Sequence, residues 1–262
     1  MIRALYTAAS GMSAQQTNLD TVANNLANSS TTGFRRRNLQ FEDMMYQNLV
    51  APGAAQTTAT TQAGLQIGLG TRPVSTAVIN TQGDFNHTGN PLDLAISGAG
   101  FFQITRVDGT TAYTRDGNFN TNQQGQLTTA NGDLVTPTIT IPPNATNVTI
   151  SQYGVVTATI PGQTVATTLG QIQLATFPNP GGLTAVGSNL FLATGASGSA
   201  IVDNPGSTTG LGTLQQEYLE ASNVDVVSEF VQMVLAQRAY ESNSKVIKTA
   251  DDMYSEVNNL VR

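Results

Sequence analysis

Apolar residues recur at three- and four-residue intervals at both ends of this chain and almost nowhere between. Over Ile2–Ala27 the positions Leu5, Ala8, Met12, Gln15, Leu19, Val22 and Leu26 keep that spacing, which lines one helix face as a coiled-coil seam. The seam is weak, because Ala and Gln hold two of its positions and Gly11 costs about 1 kcal/mol in a helix interior. Alone, such a helix is marginal in water. Asn28–Gly33 is a polar stop, with Gly33 suited to a left-handed turn. The second helical stretch, Val224–Val261, has no Gly or Pro and would extend roughly 55 Å at 1.5 Å per residue. Ala236, Ala239, Val246, Ala250, Met253, Val257 and Leu260 form its stripe, widened by Phe230, Tyr240, Ile247, Tyr254 and Val261. Asn223 and Asp225 offer caps at its start. A helix this long with so wide a stripe needs a partner, and the first helix is the obvious one.

Between the helices the period changes. "GFFQITRVDGTTAYTRDGNFNTNQQGQLTTANGDLV" reads as short strands separated by turns at Asp108, Asp116 and Asn131, each followed by Gly. Further strand-like runs begin at Thr138, Asn147, Gly154, Gly170 and Asn189, punctuated by Pro142, Pro143, Pro178 and Pro180. The expected fold class is α+β: paired terminal helices plus a central antiparallel β-rich domain. The expected divisions are an N-terminal helix over 1–33, a connecting segment over 34–69, a β domain over 70–218 and a C-terminal helix over 219–262. Within the connecting segment, "YQNLVAPGAAQTTATTQAGLQIGL" is rich in Ala, Thr and Gln. Its composition fits a linker or an extended arm.

Composition narrows the function. Charged residues make up 11% of the 262, against roughly 25% in an ordinary soluble domain. No lysine occurs between Glu42 and Leu214, where Arg72, Arg106 and Arg115 are the only basic residues. A surface so neutral repels copies of itself weakly, which suits self-assembly or, equally, a neutral monomer. The net charge of −6 argues against a nucleic-acid binder. No apolar run reaches the ~20 residues of a membrane-spanning helix, and the first residues lack the apolar core of a secretory signal. With no cysteine and one histidine, His87, the common metal sites are missing. No set of residues suggests catalysis, a cofactor or a metal, and the expected reading is that of a non-enzyme. Arg35, Arg36 and Arg37 read as an exposed basic run.

The two ends together carry a more specific signal. "SGMSAQQTNLDTVANNLANSSTTGFRR" (residues 10–36) and "LEASNVDVVSEFVQMVLAQRAYESNSKVIKTADDMYSEVNNL" (219–260) resemble the terminal signatures of the bacterial flagellar rod and hook axial proteins. The middle, through "GLQIGLGTRPVSTAVINTQGDFNHTGNPLDLAISGAGFFQI", "AYTRDGNF" and "NGDLVTP", is similar to the distal-rod members of that family. The resemblance implies a subunit of a hollow helical assembly, with paired helices as an inner coiled-coil layer and the β domain outside. It assigns coiled-coil assembly to Leu5, Met12, Leu19, Val22, Leu26, Phe230, Val246, Ala250, Met253, Val257 and Leu260. It assigns an inter-subunit arm to Tyr46, Leu49, Val50, Pro52 and Leu65. The implied partners are further copies of the chain, proximal rod proteins, the hook protein, the outer-membrane and peptidoglycan ring proteins, and the flagellar type III export apparatus. Nucleic acid and membrane insertion are not implied. A proximal rod or hook subunit, and more remotely a β-domain adhesin, are the alternatives.

Overall fold

The computed structural model describes residues 2–50, 55–56, 59–60, 64–162, 165–207 and 210–260. The chain forms two compact units. One gathers residues 1–27, 37–77 and 225–262, and the other residues 28–36 and 78–224.

The first unit contains helices α1 (Ile2–Ala27) and α2 (Val226–Leu260). Among the described residues it also contains strands β1 (Arg37–Asp43), β2 (Tyr46–Val50), β3 (Ala55–Gln56), β4 (Ala59–Thr60), β5 (Leu65–Gly68) and β6 (Thr71–Val78). Asp225 starts α2. Its Oδ1 accepts the Val227 N–H at 3.1 Å and its Oδ2 the Ser228 hydroxyl at 2.6 Å, satisfying donors that a helix start leaves free. The strands pair β1 with β6, β2 with β5 and β3 with β4. This nesting makes one long antiparallel hairpin of the stretch read from sequence as linker or arm. Neither the expected boundary at 33 nor that at 70 divides the units, because residues 28–36 join the β unit and 37–77 join the helices.

The second unit carries β7 (Phe85–His87), β8 (Leu94–Ser97), β9 (Phe101–Thr105), β10 (Thr111–Thr114), β11 (Phe119–Thr121), β12 (Leu127–Thr129), β13 (Leu134–Val135) and β14 (Asn147–Ile150). It continues with β15 (Val155–Thr159), β16 (Thr167–Gln171), β17 (Leu174–Thr176), β18 (Thr184–Gly187), β19 (Leu190–Leu192), β20 (Ile201–Asp203), β21 (Thr213–Gln216) and β22 (Tyr218–Glu220). The largest sheet runs β11-β12-β13-β9-β10-β19-β18, with β17 joining β9 to β20. Side chains alternate across β9 as strand geometry requires. Phe102 and Ile104 enter the main core with Leu94, Ile96, Phe119, Leu127, Ile172 and Leu174, while Phe101 packs with Tyr113, Phe177 and Leu183. Phe102 meets Phe119 edge-to-face at 5.0 Å.

The turns expected at Asp108 and Asn131 close the β9–β10 and β12–β13 hairpins, with Gly109 and Gly132 at positive φ. The one expected at Asp116 does not close a hairpin, since β10 and β11 pair with other strands. Gly117 there answers a close approach instead. A Cβ on it would stand 1.6 Å from the Leu94 carbonyl oxygen, whose residue donates its own N–H to the Gly117 carbonyl at 3.0 Å. The expected strand at Thr138–Ile141 reduces to a single bridge, Gln126 to Thr140, although Ile139 and Ile141 are buried.

Candidate assembly surfaces

Helices α1 and α2 run antiparallel. Gly11 faces Asn243, and the Asn25 amide reaches Glu229 Oε2 at 3.1 Å. Both pairs of residue numbers sum to about 254, a constant that only an antiparallel register gives. Glu229, Ala236, Asn243 and Ala250 lie seven residues apart on α2. On α1 two such columns face it, Ala8–Gln15–Val22 and Gly11–Asn18–Asn25. Ala8, Ala14, Val22, Asn25, Glu229, Ala236 and Ala250 are buried. Small residues let the helix backbones approach. A Cβ on Gly11 would lie 2.8 Å from Asn243 Nδ2, so the helix-propensity cost of that glycine is offset by contact. Asn25 fixes the register. Its amide also donates to the Arg37 carbonyl at 2.8 Å, and its Oδ1 accepts the Arg37 N–H at 3.0 Å.

This seam coincides only in part with the apolar stripes, sharing Ala8, Gln15, Val22, Ala236 and Ala250 with them. Of the candidate residues, Val22 and Ala250 are buried, and Leu5, Met12, Leu19 and Leu26 are half-buried on its flank. Phe230, Val246, Met253 and Val257 are exposed, and the Leu260 side chain lies outside those described. The antiparallel register sets Leu19, Val22 and Leu26 beside the start of α2, away from Val246, Met253 and Val257. That register also puts Ile2 level with Asp252, so Met253–Leu260 continues about 12 Å past the end of α1 at 1.5 Å per residue. An exchange of Val22, 2% exposed, for Asp puts an unbonded polar group into the seam. Burying such a group costs on the order of 2–7 kcal/mol. The purified Val22→Asp protein is expected to lose much of its helical circular-dichroism signal, while its β unit keeps its urea midpoint. An unchanged helical signal would contradict the seam.

Two uncovered apolar surfaces stand out among the described residues of this unit. Between Val226 and Gln237 the only charge is buried Glu229, whereas Val226, Val227, Phe230, Val231, Val234 and Leu235 are exposed. With Ser228, Glu229 and Gln232 turned to the other side, these apolar residues make one wide face, and such a face needs a partner. The hairpin is the second surface. Phe41, Met44, Met45, Tyr46, Leu49, Val50, Leu65, Ile67, Leu69 and Val74 are all exposed on it. The arm candidates Tyr46, Leu49, Val50 and Leu65 thus stand together, with Val50 opposite Leu65, and Pro52 lies outside the described residues. The hairpin base is fastened to α1 through the Thr71 N–H and Ser10 Oγ, 3.4 Å apart. An open groove of about 920 Å³, lined by Ala4, Thr7, Ala8, Ile67, Val246 and Tyr254, runs between the hairpin and the helix pair.

The β unit holds a feature that the sequence reading missed. Arg35 is not exposed: it is 6% accessible, and its Nη2 lies 2.8 Å from Glu220 Oε1. Glu220 Oε2 accepts Arg115 Nε at 2.6 Å, and Arg115 also donates to the Gly100, Ile96 and Gly98 carbonyls. Burial pulls the Arg35 guanidinium below its ordinary pKa, with the Glu220 charge opposing. Three polar residues of the polar stop and its surroundings are tied in nearby: Thr32 Oγ1 donates to Asp116 at 2.9 Å, and Asn189 Nδ2 to the Thr32 carbonyl at 3.2 Å. Among the described residues no group of three or more His, Cys, Asp or Glu is placed to hold a metal. No described helix is long and apolar enough to cross a membrane.

Three family models match the chain in order: flagella basal body rod protein over residues 5–35, flagellar hook protein FlgE/F/G D1 domain over 95–158, and flagellar basal body rod FlgEFG protein C-terminal over 215–260. Among similar proteins, the flagellar basal-body rod protein FlgG of Caulobacter vibrioides is 51% identical over 254 residues, covering 96% of this chain and 97% of the relative. FlgG of Borreliella burgdorferi is 47% identical over 265 residues and FlgG of Bacillus subtilis 40% over 266, each covering 100% of both chains. With identity at this level along the full length and the three models in sequence, the chain belongs to the flagellar basal-body rod protein family.

Proposed function

We propose that the chain is a structural subunit of the flagellar distal rod. It polymerises into a rigid hollow shaft that transmits torque to the hook and conducts exported subunits. The observation that carries this reading is the pair of uncovered apolar surfaces, on α2 and on the hairpin, in a chain whose relatives are named as rod proteins. The two surfaces differ, so contact between them on neighbouring copies is heterologous and does not close on itself. Helical polymers are built from such contacts. The α1–α2 pair forms the inner coiled-coil layer, where Val246, Met253, Val257 and the overhanging end of α2 are covered by neighbouring subunits. The hairpin is the inter-subunit arm. Proximal rod proteins lie below, the hook protein above, and the ring proteins around the shaft. The flagellar type III apparatus delivers the subunit across the inner membrane to the periplasm.

Deleting the gene tests the reading. Basal bodies isolated from the deletion strain are expected to lack the distal rod and the hook, and the intact gene supplied in trans to restore both. Complete basal bodies in the deletion strain would overturn it.

A further inference from the structure

We propose that Glu220 and Asn223 form a load-sharing root, binding into one cluster the connectors through which the chain passes between its two units. The chain makes that passage four times, after residues 27, 36, 77 and 224. Within the β unit, the segments that lead to these points are 28–36, 78–84 and 220–224, and each is bonded to both others. Segment 28–36 meets segment 78–84 through the Ile79 N–H, which donates to the Arg36 carbonyl at 2.8 Å, and through Arg35 Nη1, which donates to the Thr81 carbonyl. It meets segment 220–224 through the Gly33 N–H on the Glu220 carbonyl at 2.9 Å, the Arg36 N–H on Asn223 Oδ1 at 2.7 Å and the Arg35–Glu220 ion pair. The triangle closes where the Gly83 N–H donates to Glu220 Oε1 at 3.0 Å and Asn223 Nδ2 donates to the Ile79 and Thr81 carbonyls at 2.8 and 2.9 Å.

Bonds arranged in such a triangle share a pull. No connector leaves the β unit without breaking contacts to two others, so force arriving along one is spread over all. Resistance to force is a matter of how fast bonds open, and a closed cluster opens only when several do so together. The side chains are suited to this. Glu220 is buried and binds Arg115, itself fixed to three carbonyls of the core. Asn223 offers an acceptor and two donors from one short side chain. The mechanical role rests on the drive-shaft reading above; the cluster itself does not.

The test is Asn223→Ala in the full-length chain, with Asn223 chosen because it is half-exposed and leaves the buried ion pairs intact. Hydrogen exchange on the purified protein is expected to show the Gly33, Arg36, Ile79 and Gly83 amides losing protection together, by at least about tenfold, while the β9–β10 amides keep theirs. Loss at Arg36 alone would overturn the cluster, and so would a global loss that includes β9–β10. In cells, the variant is expected to assemble wild-type numbers of rods and to swim normally in thin medium, but to stall or break in viscous medium. Performance equal to wild type at high load would overturn the mechanical role. If deletion of the gene leaves basal bodies complete, the rod reading fails instead, and exchange alone still decides the root.

Discussion

Replacing Glu220 by Ala is expected to destabilise the β unit by about 3–5 kcal/mol, the cost of removing one partner from a buried ion pair. That is a large share of the 5–15 kcal/mol that holds a typical domain folded. Arg35 and Arg115 are both buried against this one carboxylate. Its loss leaves two guanidinium charges without a counter-charge, and the Gly83 N–H without its acceptor. Arg115 keeps its three carbonyl partners, so the damage falls most heavily on Arg35 and the segment around it. Glu220→Gln keeps the shape and an oxygen for Gly83 but not the charge, and should fall between Ala and wild type. Urea unfolding of the full-length proteins measures both. A wild-type midpoint for Glu220→Ala would show that water reaches the cluster and that the ion pairs contribute nothing.

Shortening the hairpin is expected to leave both units folded and to impair assembly. Val50 pairs with Leu65 across the two strands, so excising residues 51–62 joins them through Ala63 and Gly64. Changing Ala63 to Asn at the same time supplies the Asn-Gly sequence that favours a two-residue hairpin turn. The shortened hairpin keeps its paired base and its tether to Ser10 but loses its far end. If that end crosses to a neighbouring subunit, its removal weakens each lateral contact. A loss of only ~1.4 kcal/mol per contact is tenfold in association, and helical polymers multiply it. The expected result is far fewer tubes, and tubes that bend, when yield and curvature are measured by electron microscopy. Tubes as straight and as abundant as wild type would mean that the hairpin end is a free loop.

Some of this architecture was legible in the residues and some was not. Both helices announced themselves through 3-4 spacing, and their bounds follow from Asp225 at one start and the polar stop after Ala27. Their facing surfaces were only half legible: Ala8, Gln15, Val22, Ala236 and Ala250 stood on the stripes, but the seam also holds Gly11, Asn18, Asn25, Glu229 and Asn243. An apolar pattern points to the large exposed residues instead. In a subunit built for assembly the strongest apolar stripe need not be the one that packs within the chain. Exposed Phe230, Val246 and Met253 illustrate this. The connecting segment hid its pairing for a similar reason: neither β2 nor β5 has a buried face, so neither shows the alternation that marks a half-buried strand. Glu220 meets Arg35 and Arg115 from 185 and 105 positions away. No local pattern signals such contacts. The hairpins at Asp108 and Asn131 were readable because their turn chemistry is local, whereas Asp116-Gly117 has the same letters and a different cause.

Above all, this chain is expected to build a tube with its helix pair innermost. Cryo-electron microscopy of the purified protein, concentrated until it polymerises, tests it most directly. Straight hollow tubes are expected, with α1 and α2 lining the channel and the hairpin of each subunit seated on its neighbour. Tubes with the helices on the outer surface, or a protein that stays monomeric at every concentration, would contradict the account.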